Sequence, residues 1–223
     1  MSRTFSSSLV TVLFVVFQTV AFSQSRPTAA TYITDEEVKA VNATPGVDRT
    51  IRVVDIGNEN FAVGIIHRVA AATGAARGAG AGTGAVAPAG GGRAAAAPST
   101  PCGEQAPTPP AGAVPGGIAH DSQTEGYVIV SGSGTLITGG HIVNGNKSAP
   151  DAAVTRELNG PSCSGLIAGA DIVRRVVKTG DIIIIPAGVP HGWTDITDHV
   201  DYLSLRPSDH VLQAGYVHPA IKK

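Results

Sequence analysis

The chain has 223 residues, enough for one ordinary domain, and 16 Lys plus Arg are balanced by 17 Asp plus Glu for a formal net charge of −1. No block of basic residues occurs in either half, so the stripe needed to neutralise a phosphate backbone is missing and nucleic-acid binding is not expected. Aromatic residues are scarce, at 4%, while Gly and Pro are abundant, and that excess is local.

The first segment reads as an export signal, residues 1–23. Arg3 supplies a positive start, and Leu9–Phe22 is an apolar run relieved only by Thr11, Gln18 and Thr19. Ala21 and Ser23 fit the −3 and −1 positions of a cleavage site, with Gln24 as the mature start. The rival reading is a membrane anchor, but the run is shorter than the ~20 apolar residues a span needs and no charged stop follows it. A periplasmic or secreted location is therefore expected, with no stable membrane span after cleavage.

Residues 24–49 form an extension with one short helix. Thr34-Asp35-Glu36-Glu37 is a capping-box pattern, and Thr44-Pro45-Gly46 ends a helix reaching about Asn42. Thr50–Asp55 and Phe61–Val69 are β-branched and apolar, separated by Gly57-Asn58-Glu59-Asn60, which signals a hairpin. From residue 70 to residue 117 the composition falls to Ala, Gly, Pro, Ser and Thr. Such a stretch buries too little apolar surface to offset its ordering entropy, so a disordered insert is expected. Gly80–Ala85 inside it loosely imitates a dinucleotide-binding turn, but neither the helix nor the ribose-binding acid follows.

Beyond the insert, Gly126–Val130, Gly134–Thr138, Asp171–Lys178, Asp181–Ile185 and Val200–Leu205 are short β-branched runs separated by turn residues. Many short strands favour a sandwich or closed barrel over an α/β fold. Asn144–Gly169 reads as a second long polar insertion, and residues 208–223 as a C-terminal tail. Cys102 and Cys163 both lie in Gly/Pro/Ser-rich stretches; in an oxidising compartment they can pair, or they remain two idle thiols. Neither serine nor cysteine shows a nucleophile motif.

Two segments carry chemistry. His120 to Gly132 and Gly180 to Trp193 each combine a strand, a Gly turn and metal-capable side chains. Alternation puts Glu125, Tyr127 and Ile129 on one face of the first, and His191 and Trp193 on one face of the second. In a closed barrel these faces point inward, and two imidazoles with one carboxylate suit a divalent metal that keeps open positions. His67 alternates with Val63 and Ile65, which points it toward the same interior. His67, Tyr127 and Trp193 are the expected pocket residues.

The two segments resemble the motifs of the cupin family. Gly180, Pro186, Gly188 and His191 match the second motif without a gap, with Asp195 replacing its final Asn. Glu125, followed at the seventh position by Gly132, matches the end of the first, with His120 as its second histidine. Ile118 stands where the first histidine belongs. The resemblance implies a jelly-roll β-barrel over residues 50–207, interrupted by the insert, and a mononuclear divalent metal (Fe, Mn, Zn or Ni) held by His120, Glu125 and His191, with Asp121 as a substitute fourth ligand. It further implies a small-molecule ligand, chemistry of oxygenase, isomerase or decarboxylase type, and a possible homodimer. A non-catalytic binding barrel and a metal-free, vestigial barrel remain the alternatives.

Overall fold

A computed structural model describes residues 27–70, 100–208 and 210–222. The expected signal segment and most of the low-complexity insert fall outside these residues. Among the described residues, no helix is long and apolar enough to cross a membrane.

The capping box forms as expected and starts α1 (Asp35–Asn42). The Glu37 amide donates to Thr34 Oγ1 at 3.3 Å, and the Thr34 amide donates to the Glu37 carboxylate at 3.4 Å. Val41 packs with Ile51 and Ile65, so the helix covers the outer face of the first hairpin. That hairpin is β1 (Asp48–Asp55) and β2 (Asn60–Val69), joined through Gly57, whose amide donates to Asp55 Oδ1 at 2.7 Å.

The remaining strands are β3 (Pro101–Cys102), β4 (Val114–His120), β5 (Glu125–Thr138), β6 (His141–Lys147), β7 (Ser162–Ala168), β8 (Val173–Lys178), β9 (Ile182–Ile185), β10 (His191–Thr194) and β11 (His199–Ser208). They pair antiparallel in the order β1-β2-β11-β5-β10-β4-β7-β6-β3, with β8 and β9 on the other edge of β5. The architecture is all-β, a jelly-roll barrel of the kind that the motif resemblance implies, with a short N-terminal helix.

One long strand organises it. The first half of β5 pairs with β11 and β9, and its second half pairs with β10 and β8. The partners change near Gly132, which sits at φ +70° with room for no side chain: a Cβ there would lie 2.0 Å from the His199 carbonyl oxygen. The two runs expected as separate strands are therefore one 14-residue strand. Its inner face and those of β9, β10 and β11 enclose Tyr127, Ile129, Leu136, Val177, Ile185 and Tyr202, all buried.

Two sequence expectations are corrected here. Residues 100–117, expected inside the disordered insert, are placed: β3 pairs with β6, and β4 pairs with both β7 and β10. The polar run 144–169, expected as an insertion, supplies the end of β6, a six-residue π-helix (Val154–Asn159) and β7. Their glycines are there for close approach: a Cβ on Gly165 would lie 2.8 Å from the Gly145 Cα, and one on Gly145 would lie 2.7 Å from Cys163 Sγ. Cys102 and Cys163 are joined in a disulfide with a Cα–Cα distance of 6.0 Å, which staples β3 to β7. The C-terminal segment runs along β1, where the Tyr216 carbonyl accepts from the Val53 amide at 3.0 Å and Leu212 is fully buried.

Candidate metal centre

His120 ends β4, Glu125 begins β5 and His191 begins β10, so three strand termini meet at one end of the barrel. Ile118 of β4 lies directly across from His191 in the pairing, and His120, two residues on, shares its face. All three candidate ligands are buried, and each offers an atom within 4.8 Å of the other two. His191 Nε2 lies 3.1 Å and His120 Nε2 3.3 Å from the same oxygen, Glu125 Oε2.

The far nitrogens decide which atoms face inward. His191 Nδ1 lies 3.0 Å from the Val189 carbonyl, which can only accept, so Nδ1 carries the proton. His120 Nδ1 lies 2.8 Å from Ser162 Oγ, whose own proton is directed to the Gly160 and Asn159 carbonyls at 2.9 and 3.2 Å. In the neutral rings both Nε2 lone pairs thus point at a carboxylate oxygen. Three electron-rich atoms at hydrogen-bond distance repel unless a cation or added protons lie among them. The donor set therefore fits a divalent ion, and the outer hydrogen bonds fix the ring orientations as second-layer partners of metal-bound histidines do.

Glu125 is also held from behind. Arg206 Nε donates to Glu125 Oε1 at 2.7 Å and Ser204 Oγ donates to the same oxygen at 3.2 Å, while the Tyr127 hydroxyl donates to Oε2 at 2.6 Å. Burial alone would raise the Glu125 pKa; the positive charge of Arg206 beside Oε1 outweighs it and holds the carboxyl well below its ordinary range. Burial, followed by the nearby Glu125 charge, pushes the Tyr127 phenol well above its ordinary value, so it stays a donor. Arg206 is fully buried and divides its nitrogens among Glu125, Asp48 Oδ2 at 2.6 Å and the Leu158 carbonyl at 3.1 Å.

Tyr127 and Trp193 do line the interior. Tyr127 lies edge-on to His191 at 6.2 Å between ring centroids and against Tyr202 at 4.4 Å, and Trp193 stacks on Tyr202 at 5.3 Å. His67 does not. Its neighbours Ile66 and Arg68 face inward, Arg68 donating to the Tyr202 hydroxyl at 3.0 Å, so alternation turns His67 to the outer face. There its Nδ1 donates to Asp201 at 2.5 Å, beside Ser131 and His199. Asp121 is also no ligand: it is exposed, and the Lys147 ammonium donates to both its oxygens at 2.5 and 2.6 Å.

Sequence reading missed Arg206, Ser204, Asp48 and Tyr202. The alternation of β11 carried the signal, since Tyr202, Ser204 and Arg206 occupy successive inward positions.

No protein-family model matches the chain, and no curated protein matches it. Among solved structures it is similar to a double-stranded β-helix protein from Klebsiella pneumoniae (14% identity, TM-score 0.34, covering 82% of this chain and 93% of that one). It is also similar to a cupin protein from Bacteroides fragilis (13% identity, TM-score 0.28, covering 73% and 78%). A third likeness is to hydroquinone 1,2-dioxygenase from Sphingomonas sp. TTNP3 with 4-hydroxybenzoate bound (12% identity, TM-score 0.35, covering 85% and 87%).

Proposed function

We propose that the protein is an exported, single-domain barrel of cupin type that binds one divalent metal ion through His120, Glu125 and His191 and acts on a small organic molecule. The observation that carries the metal is the convergence of two Nε2 lone pairs on Glu125 Oε2, with both Nδ1 atoms already committed elsewhere. When bound, the ion would supply a Lewis acid or an oxygen-binding position. The chain's own contributions are a fixed carboxylate, held by Arg206 and Ser204, and a phenol at Tyr127 that can pass or hold a proton beside it. His67 has no part in this chemistry. The Cys102–Cys163 disulfide supports export into an oxidising compartment.

The test is elemental analysis of the purified protein after loading with iron, manganese, nickel or zinc. One equivalent in wild type, lost in a His120→Ala, His191→Ala double variant, is the expected result. Metal retained by the double variant would locate the ion elsewhere, and none in wild type would remove the metal reading. A metal-free barrel is the second reading, favoured by one observation: Arg206, Ser204 and Tyr127 already satisfy both oxygens of Glu125.

A further inference from the structure

A cleft of about 280 Å³ is lined by Leu136, Thr138, Arg175, Val177, Asp181 and Ile183 among others, and by none of the three candidate ligands. The strand register fixes its relation to the centre. Thr138 pairs with His191, Leu136 pairs with Trp193, and across the other edge of β5 Leu136 pairs with Arg175 and Gly134 with Val177. Directly paired residues of antiparallel strands share a face. Arg175 therefore projects from the face that carries His191 and Trp193, two strand spacings (roughly 10 Å) from the Trp193 strand. On the other side of the cleft, Ile183 pairs with Tyr127 and Ile185 pairs with Glu125.

The charges in this cleft are uneven. The Asp181 carboxylate is committed to its own turn, where it accepts from the Lys178 amide at 2.9 Å. Arg175 is exposed and forms no salt bridge or side-chain hydrogen bond with any described residue. Its neighbour Arg174 lies on the opposite face of β8. The rest of the lining is mainly aliphatic: Leu136, Val177 and Ile183 belong to the interior cluster that contains Tyr127 and Tyr202, and Val173, Ile182 and Ile184 are exposed. A guanidinium without a partner among the described residues, lining a mainly aliphatic cleft, is a recognition element for an anion with an apolar body.

We propose that Arg175 is the specificity residue of this cleft and that the ligand is a small monocarboxylate with a single ring or a short alkyl chain. Its carboxylate pairs with Arg175 and its apolar body lies against the aliphatic lining of the cleft. The cleft volume of about 280 Å³ holds on the order of ten non-hydrogen atoms, if each takes somewhat less than the ~30 Å³ share of a water molecule. This assignment rests on the small-molecule reading above, but not on the metal.

The chain contains one tryptophan, Trp193, so intrinsic fluorescence reports on the same sheet face. Benzoate and hexanoate are titrated into wild-type protein, Arg175→Gln and the opposite-face control Arg174→Gln, each with and without EDTA, and benzyl alcohol and hexanol serve as neutral partners. The expected result is saturable binding of the carboxylates, weakened tenfold or more in Arg175→Gln and unchanged in Arg174→Gln, with the alcohols indifferent to both substitutions. Unaltered circular dichroism of Arg175→Gln shows that the fold is intact. Binding that survives EDTA and the His120→Ala, His191→Ala double variant supports Arg175 even if the metal reading fails. Equal affinity in wild type and Arg175→Gln overturns the proposal, as does carboxylate binding that is abolished by EDTA and indifferent to Arg175. Absence of saturable binding of either carboxylate to wild type up to about 10 mM also overturns it.

Discussion

Arg206 Nε donates to Glu125 Oε1 at 2.7 Å, with both side chains almost wholly out of solvent. The same guanidinium holds Asp48, so one buried cation compensates two buried carboxylates. Breaking a buried ion pair from one side is costly because the remaining charges lose their compensation and cannot rehydrate.

Arg206→Leu is therefore expected to lower stability by about 3–5 kcal/mol, measured as a shift in the urea unfolding midpoint at unchanged slope. Arg206→Lys keeps the charge but cannot reach Glu125, Asp48 and the Leu158 carbonyl together, and should recover only part of the loss. A loss below 1 kcal/mol for Arg206→Leu would mean that the ion pair is not formed in solution.

Metal content separates ligands from bystanders. His120→Ala and His191→Ala should each lose bound metal, whereas Asp121→Ala should keep it, because Asp121 is tied to Lys147 at the surface. Ser162→Ala removes only the partner of His120 Nδ1 and should weaken metal affinity by roughly 10–100-fold, read by competition with a chromogenic chelator.

The disulfide closes a loop across a sequence separation of 61 residues. In the chain-entropy account a loop of that length contributes about 4 kcal/mol. The Cys102→Ser, Cys163→Ser double variant, and wild type in excess reductant, should show the same lowered denaturant midpoint. A difference between the two would point to a side-chain effect of the substitution rather than to loss of the crosslink.

Gly132→Ala tests the change of partners along β5. The alanine would combine a left-handed φ of +70° with a Cβ 2.0 Å from the His199 carbonyl oxygen. A loss of at least ~2 kcal/mol is expected in thermal or urea unfolding. Ala substitution at Gly126, where the nearest atom to a new Cβ is 3.6 Å away, is the mild control.

Two of the three candidate ligands are legible because the spacing around them is intact, from Gly180 to His191 and from Glu125 to Gly132, whereas His120 lies in a first motif whose other histidine is replaced by Ile118. The capping box at Thr34 and the first hairpin were equally plain, since both are local patterns. Alternation with Val63 and Ile65 predicts an inward His67, whereas in the fold it faces outward and pairs with Asp201. Val63 and Ile65 are apolar because α1 covers them from outside, so apolar neighbours do not by themselves identify the barrel interior. The β-branched run predicts a strand over Val200–Leu205, which stops one residue short of the inward guanidinium of Arg206. The sequence predicts a disordered insert through 100–117 and a polar insertion over 144–169, because both stretches are poor in bulky apolar residues; in the fold several of their glycines let β6, β7 and the disulfide pack at contact distance. Close approach of two backbones is a non-local event, and composition alone does not distinguish it from flexibility.

The Cys102–Cys163 bond also divides the site topologically. His120, Glu125, Tyr127 and Ser162 all lie inside the covalent ring that it closes, while His191, Tyr202, Ser204, Arg206 and Asp48 lie on the free arms of the chain. The centre thus joins residues of the ring to residues of both arms. Opening the crosslink would leave every candidate ligand chemically intact yet enlarge the unfolded ensemble from which they must be gathered, so reducing surroundings would make the centre costlier to assemble.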